Sequence, residues 1–218
     1  MGREFAHNGK LSAGKPRGAG IIFISVFCIA AVLFGEMSVE MFIYLVLVFV
    51  EMLTGFMDDA ADEPWGEYKK GILDFLVAAV AALNYIHFNS TYVELATIGV
   101  KFYIPPVLFF ILTIILVWAA INVTNCSDGV DGLSGTLTII TLVTIYVIDQ
   151  IRGNETQFPY IIYVCVCILG YLWYNATPSR LMMGDAGSRA MGIFISLAVL
   201  KTGSPFLFLL VALILILD

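Results

Sequence analysis

Charge is scarce in this sequence. Asp, Glu, Lys and Arg make up 13% of the 218 residues and hydrophobic residues 60%, against about 25% and about 45–50% in soluble domains. That balance excludes a water-soluble globular fold. Histidine is rarer still, with only His7 and His87, and the four cysteines (Cys28, Cys126, Cys165, Cys167) lie in or beside apolar runs. Cys165 and Cys167, two apart, point away from each other on a helix, so the cysteines read as apolar packing residues. Neither a disulfide framework nor a zinc site is indicated. No basic stretch with interleaved aromatics occurs and the formal charge is −6, so no nucleic-acid partner is expected. Met1–Gly20 is polar and glycine-rich rather than apolar, which is not the pattern of a cleavable signal peptide. Internal repeats are lacking, and nothing reads as a separate soluble domain.

What is there is lipid-compatible sequence: eight apolar runs at Ile21–Gly35, Val39–Met57, Ile72–Phe88, Tyr103–Ile121, Leu133–Ile148, Pro159–Tyr174, Met191–Leu200 and Phe206–Leu217. They predict an all-α polytopic membrane protein, one integral membrane domain over residues 1–218 with about eight transmembrane helices in the bilayer. Pro105 and Pro106 fall in the first turn of the fourth, where proline costs least. Met191–Leu200 is short for a crossing and needs its flanks. The last apolar run reaches Asp218 without a polar tail, so the chain is expected to be a piece, cut at one or both ends. Trp65, Trp118 and Trp173 suit an aromatic belt.

Parity sorts the connections. With alternating spans, Met1–Gly20, Asp58–Lys70, Asn122–Asp131 and Asn175–Arg189 fall on one side. The other side holds Glu36–Ser38, the polar connector Asn89–Lys101, the turn Asp149–Phe158 and Lys201–Ser204. The first side carries Arg3, Lys10, Lys15, Arg17, Lys69, Lys70, Arg180 and Arg189, eight of the eleven basic residues, and the second only Lys101, Arg152 and Lys201. The positive-inside rule makes the first side cytoplasmic.

That side also collects the acids. Asp58, Asp59, Asp62, Asp128, Asp131 and Asp185 stand there with Asn122, Asn125 and Asn175. Ionisable groups at a membrane boundary are costly and mark a functional site by default. Asp128 and Asp131 are spaced i, i+3, so on a helical turn both face one way and repel unless a cation joins them. Carboxylate and amide oxygens are hard donors suited to Mg²⁺ with substrate phosphates. Phosphoryl transfer needs little more than a metal, cations to hold phosphates and a base for the nucleophile. In Gly184-Asp185-Ala-Gly187-Ser188 the amides before the seventh span offer a helix N-terminus to a phosphate.

Three segments carry a resemblance: Asp58-Asp59-x-x-Asp62, Asn122-x-x-Asn125-x-x-Asp128-Gly-x-Asp131-Gly-Leu, and Met183-Gly-Asp185-Ala-Gly-Ser188. In order and sidedness they resemble the polyprenyl-phosphate N-acetylhexosamine-1-phosphate transferases, from about Gly14 to the end. Within that superfamily the likeness is greatest to the branch that makes the first lipid-linked intermediate of peptidoglycan, lipid I. The resemblance implies an enzyme of the bacterial cytoplasmic membrane, with about ten spans when complete and its site on the cytoplasmic face. UDP-MurNAc-pentapeptide supplies the phospho-sugar, undecaprenyl phosphate attacks it, and UMP leaves. It implies Asp185 as the Mg²⁺ ligand and a catalytic residue, Asp58 and Asp59 as catalytic residues at the lipid phosphate, and Asn122, Asn125, Asp128, Asp131, Lys70, Asn175 and Met182 as substrate-binding. The family's uracil-stacking aromatic is replaced by Met182, whose thioether stacks less directionally. Gly14-Lys-Pro-Arg-Gly-Ala-Gly20 departs toward the GlcNAc-1-phosphate branch, so a UDP-GlcNAc transferase is the alternative. The family's first span would precede Met1 and its histidine-rich loop follow Asp218. A homodimer and a monomer fit equally well.

Blander readings stand beside these. Asp128 and Asp131 also suit a helix cap, and Lys69, Lys70, Arg180 and Arg189 suit lipid-headgroup anchors. Asp62, Glu63 and Glu67 read as surface charges, His7 as an incidental loop residue, and His87 as remote from the chemistry. Glu51 and Asp74, in or near apolar runs, either line the groove or pair within the bundle. A cation-coupled transporter is the alternative of another class, expected to hold its acids near the midplane in broken helices.

Overall fold

The computed structural model describes residues 14–95, 98–153 and 159–217. His7, Arg3 and Lys10, residues 154–158 of the expected outer turn, and Asp218 lie outside the described residues. The expected spans all fold as helix: α1 (Gly20–Phe34), α2 (Val39–Asp59), α3 (Glu67–Phe88), α4 (Pro106–Cys126), α5 (Leu133–Ile151), α6 (Tyr160–Asn175), α7 (Gly184–Lys201), and the pair α8 (Leu207–Val211) and α9 (Leu213–Leu217). Helices α2 to α5 are long and apolar enough to cross a membrane; α1 and α6 are shorter apolar helices. Their outward residues are apolar, among them Ile22, Val26, Ile29 and Leu33 on α1 and Ile111 and Ile115 on α4. A bilayer-facing surface and a packed interior thus share each of these six helices.

Four boundaries differ from the sequence reading, each for a local reason. Helix α4 starts at Pro106, with Pro105 at the cap, and runs on through Asn122 to Cys126. Polarity marked Asn122–Cys126 as loop, yet Thr124 returns its hydroxyl to the Ala120 carbonyl and Asn122 its amide to the Trp118 carbonyl, so the helix absorbs them. Helix α7 begins at Gly184 rather than Met191, which puts the glycine motif inside its first turns. The eighth run is split at Ala212. The polar connector holds an antiparallel hairpin, β1 (Tyr92–Leu95) with β2 (Val100–Tyr103), pairing Tyr92 with Tyr103 and Glu94 with Lys101.

The centre of the bundle is α7. Every residue from Gly184 to Leu200 is buried, with α1, α2, α4 and α5 packed round it. Its first turns are small (Gly184, Ala186, Gly187, Ser188, Ala190), which lets neighbouring backbones approach in the absence of a hydrophobic drive between helices in lipid. Two approaches are tight: Gly20 of α1 lies against the Gly187 backbone, and Gly55 of α2 lies where an added Cβ would run into the Asp185 carbonyl. At the far end, Lys201 pairs with Glu40 at 3.0 Å and with the Asn89 carboxamide at 3.0 Å. The Glu94 amide donates to Gly203 O at 2.9 Å, and Arg152 reaches Glu94 at 2.7 Å. Lys101 pairs with the same Glu94, so all three basic residues assigned to the second side gather at that end.

Gly55→Leu is expected to force α2 off α7 and cost about 1–3 kcal/mol, read as a lower thermal midpoint in detergent. Gly71→Ala, at a position with open space around it, should leave the midpoint unchanged or raise it.

Candidate active site

At the opposite end the four segments that parity placed together do meet. Lys70, on the first turn of α3, lies with its Nζ 2.5 Å from Asp58 Oδ2 at the end of α2 and 3.0 Å from Asp185 Oδ2 at the start of α7. Asp58 also accepts the Trp65 amide at 2.6 Å, which folds the Ala60–Gly66 loop back over it. Arg17, from the segment before α1, approaches Asp185 at 3.6 Å and Asp59 at 3.8 Å. The aspartate side chains are nearly sealed from solvent, 4% exposed for Asp58 and Asp59 and 7% for Asp185.

The N-terminus of α7 does bind anions, but they are the protein's own. Asp59 Oδ2 accepts the Ala186 amide at 3.2 Å, and the Gly184 amide favours the charged form of Asp128. Both carboxylates lie in the positive field of a helix start and Asp59 takes one of its free amides, where a phosphate was expected. Gly184 sits at φ +69°, and any Cβ there would strike Asp59 Oδ2 and crowd the Gly18 amide. Only glycine meets both demands.

Asp128 and Asp131 do not face each other. Both follow the end of α4, and they diverge. Asp128 turns toward Gly184, Arg17, Asp59 and Asp185, and its Oδ2 is buried without a hydrogen-bond partner. Burial pushes its carboxyl well above the ordinary carboxylate range; Arg17 opposes the shift, while Asp185 and Asp59 add to it. Asp131 turns to Lys15 (3.1 Å) and to Ser179, which gives both its hydroxyl (2.6 Å) and its amide (3.2 Å). Burial raises this carboxyl too, but the bonds from Ser179 and Lys15 outweigh it and hold it below the usual range. The cation that answers Asp131 is therefore a lysine of the same chain, 116 residues earlier.

The remaining expected residues divide. Asn125 donates to Ser188 Oγ at 2.9 Å and stands beside Asp185. Asn175 accepts the Gly132 amide and donates to Leu181 O, both at 2.8 Å, and so clamps two loops together. Asn122 is exposed and spends its amide on its own helix. Met182 is buried, its backbone paired with Pro16 and Ala19. Asp62, Glu63, Glu67, Lys69 and Arg180 are exposed, Lys69 lying over the Trp65 ring. Half-buried Lys70 and buried Arg189 are engaged in ion pairs and are not headgroup anchors. Arg17, Lys15 and Ser179 escaped the sequence reading as site residues. The one signal available for Arg17 was the unusual Gly14–Gly20 segment that carries it. Among the described residues, no three acids, cysteines or histidines stand in metal-holding geometry.

Residues 41–203 match the family model described as glycosyl transferase family 4. The chain is 39% identical to a phospho-N-acetylmuramoyl-pentapeptide-transferase from Treponema pallidum, over 96% of this chain and 63% of that protein. It is 28% identical to proteins of the same name from Fervidobacterium nodosum, over 91% of this chain and 62% of that one, and from Symbiobacterium thermophilum, over 99% and 68%. The chain thus spans somewhat under two thirds of the first of these relatives.

Because Asp131 is held below the ordinary range, its bonds stabilise the fold fully above the unfolded carboxylate pKa, about 4. That contribution is lost as pH falls through the lower folded value. In thermal unfolding against pH, the native protein should outlast Asp131→Asn above about pH 4, and the two should converge on further acidification.

Proposed function

The chain belongs to glycosyl transferase family 4, and from that premise we propose that it transfers a phospho-sugar from a UDP-linked donor to a polyprenyl phosphate in the membrane. In the finer reading the donor is UDP-MurNAc-pentapeptide, the acceptor undecaprenyl phosphate, and the products UMP and lipid I. The name its relatives carry supports that choice. The observation that carries it is the meeting of Asp58, Asp59, Asp128 and Asp185 with Lys70 and Arg17 at one end of a lipid-facing bundle. The excess of basic residues at that end supports a cytoplasmic placement.

The chemistry asks for one bond made and one broken. An oxygen of the acceptor phosphate attacks the donor's β-phosphorus, and the bond to UMP breaks with its electron pair leaving on UMP. Lys70 and Arg17 are placed to hold phosphate oxygens, each already sharing carboxylates that an incoming anion can replace. Asp58 and Asp59, at the mouth of α2, take the acceptor side and any proton it carries. Asn125, Asp131 and Asn175 brace the loops that frame the donor.

The residues also fit Mg²⁺. Four carboxylates face two cations, and Asp128 Oδ2 is a buried acceptor lacking any partner. Asp185, with Asp128 beside it, would hold the ion, which when bound neutralises charge on the transferring phosphates. A second donor is favoured by one observation: Arg17, in the segment that resembles the GlcNAc-1-phosphate branch, reaches both Asp59 and Asp185. The transporter reading has less support, since these acids cluster at helix ends and α7 is unbroken.

Release of UMP from each UDP-sugar in the presence of undecaprenyl phosphate tests the proposal, with turnover of the muramoyl-pentapeptide donor expected. Asp185→Ala should abolish both turnover and its response to Mg²⁺, and normal UMP release by this variant would refute the metal assignment. Asp58→Asn should lose turnover by about 10³-fold or more, on the scale of removing a group that acts in the transition state, yet retain donor binding.

A further inference from the structure

Beneath the Asp58–Lys70–Asp185 cluster lies a second set of charges on the same three helices. Glu51 precedes Asp58 by two turns of α2, Asp74 follows Lys70 by one turn of α3, and Arg189 follows Asp185 by one turn of α7. Those offsets keep each pair on one helix face. Arg189 Nη2 stands 2.7 Å from Glu51 and bonds Asp74 Oδ1. The triad is sealed: Glu51 is 0% exposed and the Arg189 side chain 2%.

The signs are permuted between the layers. At the site α3 carries the cation between acids of α2 and α7; one turn deeper α7 carries it between acids of α2 and α3. A one-turn slip of α7 would bring Arg189 to the level of Lys70, cation against cation, and leave Glu51 and Asp74 without a counter-charge in an apolar interior. Stability alone does not account for such a triad. Both Glu51 oxygens and the Arg189 Nε and Nη1 lack hydrogen bonds, and apolar replacement of buried ion groups is often neutral or stabilising. The best-attested use of buried charge is to fix register.

We propose that Arg189, through Glu51 and Asp74, is a positioning residue that sets the axial register of α7. It thereby holds Asp185 and the Gly184 amide against Lys70 and Asp128. The assignment rests on the transferase reading for its kinetic readout only.

The test compares the native protein with Arg189→Met, Arg189→Lys and the neutral triple variant Glu51→Gln/Asp74→Asn/Arg189→Met. Zero-length carbodiimide coupling of Lys70 to Asp185, read by mass spectrometry, reports the register without catalysis, and UMP release reports kcat and KM. The triple variant should fold with a near-native thermal midpoint and lose the Lys70–Asp185 cross-link. Its kcat should drop about 100-fold, the loss expected of a misplacement near 1 Å, with a smaller change in donor KM. Arg189→Lys, which keeps the charge, should retain the cross-link. A triple variant with native cross-linking and native kcat overturns the proposal. So does one that fails to fold, because the triad then serves stability. If the native protein releases no UMP from any donor, the transferase reading fails and the cross-link still decides the register.

Discussion

One ammonium group organises the site. Lys70 Nζ sits between Asp58 and Asp185 and so joins the end of α2 to the start of α7 through the first turn of α3. A lysine with an 11% exposed side chain at a membrane boundary is tolerable only when carboxylates surround it, and buried carboxylates are tolerable only near a cation. Each group therefore requires the others, and the consecutive helices α2 and α3 are brought to one point with the distant α7. Arg17 repeats the logic from the segment before α1, spanning Asp59 and Asp185. The result is a cluster that is electrostatically incomplete, with four carboxylates and two cations, next to the amides of a helix start.

That cluster needs an inflexible base, and α7 supplies it. A helix buried along its whole length, with glycine, alanine and serine in its first turns, lets α2 approach until Gly55 touches the backbone of Asp185. Motion of α2 relative to α7 is limited by that contact, so the paired aspartates at the end of α2 are held relative to Asp185. The far end is locked independently, where Lys201, Glu40 and Asn89 join α7 to α2 and α3, and the hairpin hydrogen-bonds to Gly203 and Ser204. The same helix is thus fixed at both ends, and the end that carries Asp185 can remain charged without becoming loose.

Much of this was legible in the sequence because lipid imposes simple rules. Apolar runs mark helices, parity sorts their connections, and basic residues sort the sides, so Asp58, Asp128 and Asp185 could be placed on one face from the chain alone. What was not legible depended on pairings across distance. That Asp131 belongs to Lys15 and Ser179 while its neighbour Asp128 belongs to α7 is invisible to an i, i+3 spacing, which assumed a helical turn where the chain has left α4. Glu51 and Asp74 each read as an anomaly in or near an apolar run; only the position of Arg189 on α7 shows that the two anomalies share one counter-charge. The Tyr92–Leu95 and Val100–Tyr103 strands were missed because four-residue strands in a polar connector leave too short a period to register.

The divergence of Asp128 and Asp131 also narrows the chemistry. A carboxylate already paired with a lysine and hydrogen-bonded by a serine has little left for a divalent cation, since those bonds favour its charged form and hold it below the usual range. Asp128 is the opposite case. It is pressed toward the neutral form by burial and by two neighbouring acids, and one of its oxygens has no donor at all. A group in that condition gains from a strong positive charge, because the same low-dielectric surroundings that penalise its ionisation magnify the attraction. Two aspartates three residues apart in one motif therefore do different work: Asp131 ties its loop to Lys15 and Ser179, and Asp128 keeps a buried acceptor oxygen near Asp185.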